Sequence, residues 1–427
     1  MKSFAICAAL IILSSSISAG QSYKILYSFQ GQLSLDGSQP LGALARDNAG
    51  NLYGTTKIGG TNGLGTIFEL SPNSDGSWTE STLYSFCSTD DPCADGSEPQ
   101  AALGIDSQGN LYGTTSAGGS QAGHCNFGGC GTVFELSPPA APGGTWTETI
   151  LYDFCAGGSP CSDGAIPLSA LAVDASGNLY GTTSAGGSGS GGHGAGQNGV
   201  VFELSSGSGA WTYSVLYNFC PSGQGRFCPD GSLPGAGVIV DKSGNLYGTT
   251  QGGGAQNSGG GGTVYKLSPG SGEWTHSVLK AFVPLATGGG PRGEVRMDNL
   301  GNLYSTLFAG GEFGSGAVFK LESAGKGAEF FFDGNNGSLP TAGITLDFQN
   351  RALYGTTSLG GANQAGTVYK ITATGQQSVL YSFCQPAACA DGSSPLSELI
   401  QDASGNLYGT TMAGGTTGNG VVFEVTP

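Results

Sequence analysis

Apolar and polar positions follow a recurring order along this chain. Short apolar segments of four to eight residues are separated by turn residues, the pattern of strands rather than helices. The first set runs Leu41 to Arg46, Leu52 to Thr56, Gly65 to Leu70 and Trp78 to Phe86. The phrase Asn-Leu-Tyr-Gly-Thr-Thr and its variants then recur, with tyrosines at Tyr53, Tyr112, Tyr180, Tyr247, Tyr304, Tyr354 and Tyr408. The steps between them are 59, 68, 67, 57, 50 and 54 residues. A proline lies thirteen residues before each tyrosine (Pro40, Pro99, Pro167, Pro234, Pro291, Pro395), and Pro340 lies fourteen before Tyr354. An aspartate follows each proline by seven residues, from Asp47 to Asp402, and a Gly-Gly pair begins six after each tyrosine. Four strands per unit and seven units predict an all-β, seven-bladed β-propeller with four antiparallel strands per blade. The N-terminal Lys24 to Phe29 matches the fourth strand type and Val421 to Val425 the third, so the N-terminal strand completes the last blade and closes the ring. The first strand of each unit is expected innermost, with the Tyr and Phe positions packed between blades.

Composition narrows this further. Glycine supplies 80 of 427 residues, against about 7% in ordinary chains. It has no three-residue period, which excludes collagen, and such a load excludes an all-helical fold. Only 10% of residues are charged and the net charge is −16 with no basic cluster, so nucleic acid is not an expected partner. Residues 1–20 read as a secretory leader: Lys2, an apolar run from Phe4 to Leu13, then Ser18 and Gly20 before the cut. Residues 21–427 are then one propeller domain, expected as a monomer. There is no second apolar stretch long enough to span a membrane. A lipid-attachment reading of Cys7 fails because too little sequence precedes it. The other ten cysteines form close pairs: Cys87/Cys93, Cys125/Cys130, Cys155/Cys161, Cys220/Cys228 and Cys384/Cys389. Disulfides made in an oxidising compartment fit them better than zinc. No pair has the C-x2-C spacing, and the histidines are only His124, His193 and His276. The expected location is extracellular or periplasmic.

The segments Leu52 to Thr56, Gly59-Gly60 and Gly65 to Leu70, with their six later counterparts, resemble the GloVer tandem repeat of exported bacterial proteins. The resemblance spans essentially the whole chain after the leader. It implies an exported surface or extracellular protein and carries over no catalytic residue. Asp-x-x-Gly-Asn-Leu-Tyr is also loosely similar to NHL and gluconolactonase-type propeller repeats, at the level of fold alone.

Loops that join the fourth strand to the next blade, and the second strand to the third, share one face. It gathers the cysteine-stapled segments and the loops of variable length, so function is expected there. Asp36, Asp95, Asp163, Asp230 and Asp391 each lie four residues before the inner proline, with Thr287 and Asn336 in the other two copies. They would either ring the channel mouth and bind Ca²⁺ or a sugar, or cap their own Asp-Gly turns. The second candidate breaks the repeat. Three residues after the proline stand Ala43, Ala102, Ala170, Gly237 and Gly343, but Glu294 and Glu398 in the fifth and seventh copies. Arg292 and Arg296 accompany Glu294. They could form an acid/base or anion site, or an ion pair that closes the channel. His124 and His193 lie in glycine-rich inserts and His276 in an outer strand, where solvated or structural roles are expected. The Gly-Gly loops lack the strand, helix and lysine of a phosphate cradle. The leading expectation is a non-enzymatic propeller that binds an extracellular glycan, surface polymer or protein through its loop-rich face. A propeller hydrolase, lyase or lactonase and a structural spacer are the alternatives.

Overall fold

The structure, a computed structural model, describes residues 21–427 apart from 32–34, 89–92, 121–124, 126–127, 142, 157–160, 189–197, 208, 222–227, 255–259 and 284–288. The leader at 1–20, His124, His193 and Thr287 therefore lie outside the described residues. Among the described residues the chain forms seven antiparallel sheets in a ring, a seven-bladed β-propeller with no α-helix. Blade one runs outward through Ala45–Arg46, Leu52–Thr56, Thr66–Pro72 and Trp78–Ser85. Blade seven takes Ile400–Gln401, Leu407–Thr411 and Val421–Thr426 from the C-terminus and Ser22–Ser28 from the N-terminus. Ser22 pairs with Thr426 and Ser28 with Val421, so the ring closes as the repeat phase predicts and the last blade has its full four strands.

The inner strand is shorter than its sequence pattern. Only Ala45–Arg46 pair with the second strand in blade one, beside a single bridge at Ser38↔Ile58. Pro40 has no N–H to donate, and Gln39 before it sits at φ 56°, which turns the chain out of the ladder. The free carbonyls of this stretch serve the neighbouring blade instead. The first threonine of each Gly-Thr-Thr donates its hydroxyl across the blade boundary. Thr55 reaches Ala101 O at 3.0 Å, Thr114 reaches Ser169 O at 3.1 Å and Thr182 reaches Ala236 O at 2.9 Å. Thr249, Thr306, Thr356 and Thr410 repeat the bond to Gly293, Ala342, Ser397 and Gly42. A ring of buried side chain to backbone bonds thus ties the blades together near the axis.

The fourth strand carries a β-bulge in six blades, between Ile25 and Tyr27 in the N-terminal strand and at equivalent positions in the rest except blade five. A phenylalanine follows in every blade, with or without the bulge. Phe29, Phe86, Phe154, Phe219, Phe282, Phe332 and Phe383 are all wholly buried. The Gly-Gly loops hold the turn beside them. Gly414 has φ 80°, and a Cβ on it would lie 2.6 Å from the Gly392 backbone. Only glycine fits there. Much of the glycine surplus is this kind of close approach.

Candidate functional site

The aspartates before the inner proline are each bonded within their own join. Each is built into its own join by the tyrosine of the preceding fourth strand. Tyr27 donates to Asp36 Oδ2 at 2.7 Å, Tyr84 to Asp95 at 2.8 Å, Tyr152 to Asp163 at 2.9 Å, Tyr217 to Asp230 at 2.8 Å and Tyr381 to Asp391 at 2.7 Å. Backbone N–H groups of Gln30, Ser88, Cys155, Cys220 and Gln385 donate to the same oxygens. Where the aspartate is lost the tyrosine goes too: Lys280 precedes Thr287 and Phe330 precedes Asn336. These bonds make each aspartate part of a turn lock repeated five times, while Asp36, Asp95 and Asp391 each keep a buried Oδ1 without a hydrogen-bond partner among the described residues. Four of the disulfides, Cys87–Cys93, Cys155–Cys161, Cys220–Cys228 and Cys384–Cys389, close these joins, and Cys125–Cys130 staples a second-to-third strand loop. The sulfurs of Cys125, Cys130, Cys155 and Cys161 lie within 4.8 Å of one another, so two staples pack together. The Asp47-type residues lock the opposite hairpins. In blade one Asp47 accepts from the Asn51 backbone and amide and from the Tyr53 hydroxyl. Those bonds hold Asp174, Asp241, Asp298, Asp347 and Asp402 below the usual carboxylate range, against the opposing push of burial.

The repeat-breaking residues do converge. Arg296 on the inner strand of blade five bonds Glu294 Oε1 at 2.9 Å and Glu398 Oε1, from blade seven, at 2.7 Å. Glu398 reaches across blade six because position 343 is glycine; a side chain there would strike its carboxylate. The three side chains are 31%, 21% and 12% exposed for Arg296, Glu294 and Glu398. Burial pushes the Glu398 carboxyl up, the Arg296 charge opposes it and Glu294 adds to it. Two acids share one guanidinium. The hydroxyl of Tyr369 is fully buried and without a hydrogen-bond partner among the described residues; burial raises its pKa and Glu398 adds to the rise. His276 is remote from this cluster. It stacks on Tyr217 at 4.3 Å, and burial lowers its pKa.

A larger feature surrounds the channel mouth on the loop-rich face. The residue before each inner proline is held at a positive φ, between 53° and 62°, in all seven blades. These residues are Gln39, Glu98, Ile166, Leu233, Gly290, Leu339 and Ser394. Each donates its N–H to a loop of the preceding blade at 2.8–3.0 Å. In five blades its carbonyl accepts from the residue four after the repeat tyrosine, at 3.1–3.2 Å. The backbone is thus fixed and the side chains are not. The residues just after the prolines vary as freely: Leu41, Gln100, Leu168, Gly235, Arg292, Thr341 and Leu396. So do Lys57, Ser116, Ser184, Gln251, Phe308, Ser358 and Met412. These positions touch: Lys57 pairs with Glu98 at 3.5 Å, Gln100 donates to Ser116 at 2.8 Å, and Arg292 lies 3.6 Å over the Phe308 ring. Exposed Leu35, Leu233, Phe313 and Leu359 stand on the same face. An isoleucine or leucine at positive φ is strained, as at Ile166, Leu233 and Leu339, and the seven positions around one opening mark a surface whose backbone repeats while its side chains vary. Among the candidates drawn from the sequence, only Arg292 belongs to this ring. The signal for the others was available as variation between copies at positions that flank invariant residues.

The family model for the Gloeobacter/Verrucomicrobia repeat matches residues 13–193, 188–347 and 234–427. No curated protein matches the sequence. Among solved structures, a protein of Bacteroides uniformis assigned as a 6-phosphogluconolactonase aligns at 13% identity over 79% of this chain and 83% of its own, with a TM-score of 0.48. One of Bacteroides fragilis with the same assignment aligns at 14% identity over 79% and 82%, with a TM-score of 0.47. A puromycin hydrolase S511A mutant aligns at 11% over 87% of this chain and 50% of its own, with a TM-score of 0.46.

Proposed function

The chain belongs to the Gloeobacter/Verrucomicrobia repeat family, and from its channel mouth we propose that it is an exported binding module for a neutral extracellular ligand, a glycan before a protein. One observation carries this reading: a backbone held at positive φ in all seven blades presents side chains that range from Gln39 and Glu98 through Ile166 and Leu233 to Gly290 and Ser394. Such a division suits recognition, because a rigid scaffold lowers the ordering cost of binding while the side chains set specificity. The mouth is mainly aliphatic residues, amides and hydroxyls, with Lys57 paired to Glu98 and Arg292 stacked on Phe308. That chemistry matches hydroxyl-rich, uncharged ligands. Export rests on the leader-like 1–20 segment and agrees with five disulfides. No helix among the described residues is long and apolar enough to cross a membrane.

The test is a glycan array with purified protein, followed by titration of any hit. Leu233→Arg at the mouth should abolish binding, while Ser176→Arg on the opposite face should not. A spacer would give no saturable binding at all. A second reading rests on the raised carboxyl of Glu398 beside Arg296, which would suit acid catalysis in the channel. It requires turnover of a bound ligand that Glu398→Gln stops without loss of binding.

A further inference from the structure

The opposite face carries a second feature that the repeat does not require. In four blades the fourth strand begins at a tryptophan that packs on the repeat tyrosine of the preceding blade. Trp146 lies 6.5 Å from Tyr53, Trp211 6.4 Å from Tyr112 and Trp274 6.4 Å from Tyr180, measured between ring centres. Trp78 packs in the cluster that contains Tyr408. The fourth strands of blades five, six and seven carry no tryptophan, so the plug is missing at three interfaces, among them the one between blades five and six. In blade three the outer ladder reaches Ser206↔Trp211, but in blade six it stops at Ile371↔Gln377. The chain turns at once through Thr372 and Gly375, with the Gly375 N–H on Thr372 O at 2.8 Å. The rung that would hold a tryptophan does not exist.

A half-open cavity of about 470 Å³ occupies the place, within the range of small-molecule sites. Its walls are Tyr304, Phe330, Leu346 and Leu353, and its rim carries Leu300 and Phe348. Those two are 78% and 57% exposed, and both break the repeat. The corresponding hairpins elsewhere read Asp-Asn-Ala-Gly, Asp-Ser-Gln-Gly, Asp-Ala-Ser-Gly or Asp-Lys-Ser-Gly. Of the three interfaces without the indole, the one between blades five and six also gains two apolar side chains at the opening, Leu300 and Phe348. The polar groups at the rim are unequal. Asp298 accepts from its own hairpin, and Asp347 from its own hairpin and from the Gln401 amide of blade seven. Lys320 pairs with Glu322 at 3.1 Å. Arg351 is exposed, and among the described residues no carboxylate lies within ion-pair distance of it.

We propose that this cavity binds a planar aromatic acid of about indole size, its ring against Tyr304 and Phe330 under Phe348, and its carboxylate on Arg351. Aromatic walls reward stacked or edge contacts beyond the area they bury, and a guanidinium is the side chain that takes a carboxylate by paired hydrogen bonds. The site is on the face away from the channel mouth, so it stands or falls separately from the binding role proposed there.

The experiment is calorimetric titration of the full chain with indole-3-propionate, with tryptamine as the cationic counterpart. Wild-type protein should bind indole-3-propionate saturably and more tightly than tryptamine. Arg351→Gln should weaken it about tenfold, the usual scale for one charge-assisted pair. Ala373→Trp, which puts an indole into the cavity wall, should abolish binding and keep the fold. Phe348→Ser alters only an exposed ring and should also weaken binding. No binding by wild type, equal binding by Ala373→Trp, or tighter binding of tryptamine would each overturn the assignment.

Discussion

One position in the fourth strand sets up a quantitative test. Residues paired with the third-strand Leu, Ile or Val at this rung are Tyr23, Glu80, Glu148, Tyr213, His276 and Gln377. The Tyr23 and Tyr213 hydroxyls donate to the carbonyls of Asp391 and Asp163, and the Gln377 amide donates to Phe331 O at 3.2 Å. The rung therefore favours a neutral donor, yet two blades place a glutamate there. Glu148 Oε1 is buried without a hydrogen-bond partner among the described residues. Burial, with Asp95 nearby, pushes its carboxyl from 4.5 up to about 7. Glu80 rises to about 7 by burial, with Asp36 adding to it and a Thr82 hydrogen bond opposing it. In a dry site such a shift would disfavour the charged form by about 3 kcal/mol at neutral pH. Both side chains are partly exposed, and solvent screening reduces this to ~1 kcal/mol each. Glu148→Gln, which copies blade six, should therefore stabilise the protein by ~1 kcal/mol at pH 8. The sign follows from linkage: a folded-state pKa above the unfolded value favours the protonated form, so this stability is complete below about pH 4.5 and lost as pH rises through about 7. Urea titrations of wild type and variant at pH 5 and pH 8 measure it. The gain should appear at pH 8 and shrink at pH 5. A gain of equal size at both values, or a loss at pH 8, would show that the glutamate is not paying a burial cost.

Further outcomes follow from the same geometry. Thr182→Val leaves the buried Ala236 carbonyl unpaired and should cost about 1–2 kcal/mol in urea denaturation. Gly414→Ala forces a left-handed residue against the Gly392 backbone and should cost roughly 2–4 kcal/mol, read as a lowered melting temperature. Asp95→Ala strands the Tyr84 hydroxyl and the Ser88 amide and should cost about 2–3 kcal/mol, whereas chelators should leave the wild-type melting temperature unchanged. A melting shift on adding Ca²⁺ would revive the cation reading of these acids. Replacing Cys220 and Cys228 by alanine should cost about 2 kcal/mol, since the bridge closes a short loop.

What the sequence made legible follows from how the repeat distributes constraint. The blade count and the ring closure appear as fixed spacings, because every copy must solve the same packing problem, and the cysteines appear as close pairs in some of the loops. The Tyr84–Asp95 type of bond was half legible: the aspartate is conspicuous in the sequence, but its tyrosine lies eleven residues away across a bulge, and pairing becomes clear only when both are lost together at Lys280 and Phe330. The Arg296–Glu398 contact spans 102 residues and depends on the absence of a side chain at Gly343, which no local pattern encodes. The channel mouth and the cavity were hidden for the opposite reason. At Leu233 and Ile166 the repeat constrains only the backbone, so the side chains look like noise around an invariant proline. At Gly375 a missing tryptophan looks like a shortened loop. In a repeat protein, identical positions report what the scaffold needs, and a function that requires one site must be written in the differences. The two places where differences cluster on a fixed backbone, around Leu233 and around Phe348, are therefore where selection for a ligand rather than for the fold can act, and they lie on opposite faces of the ring.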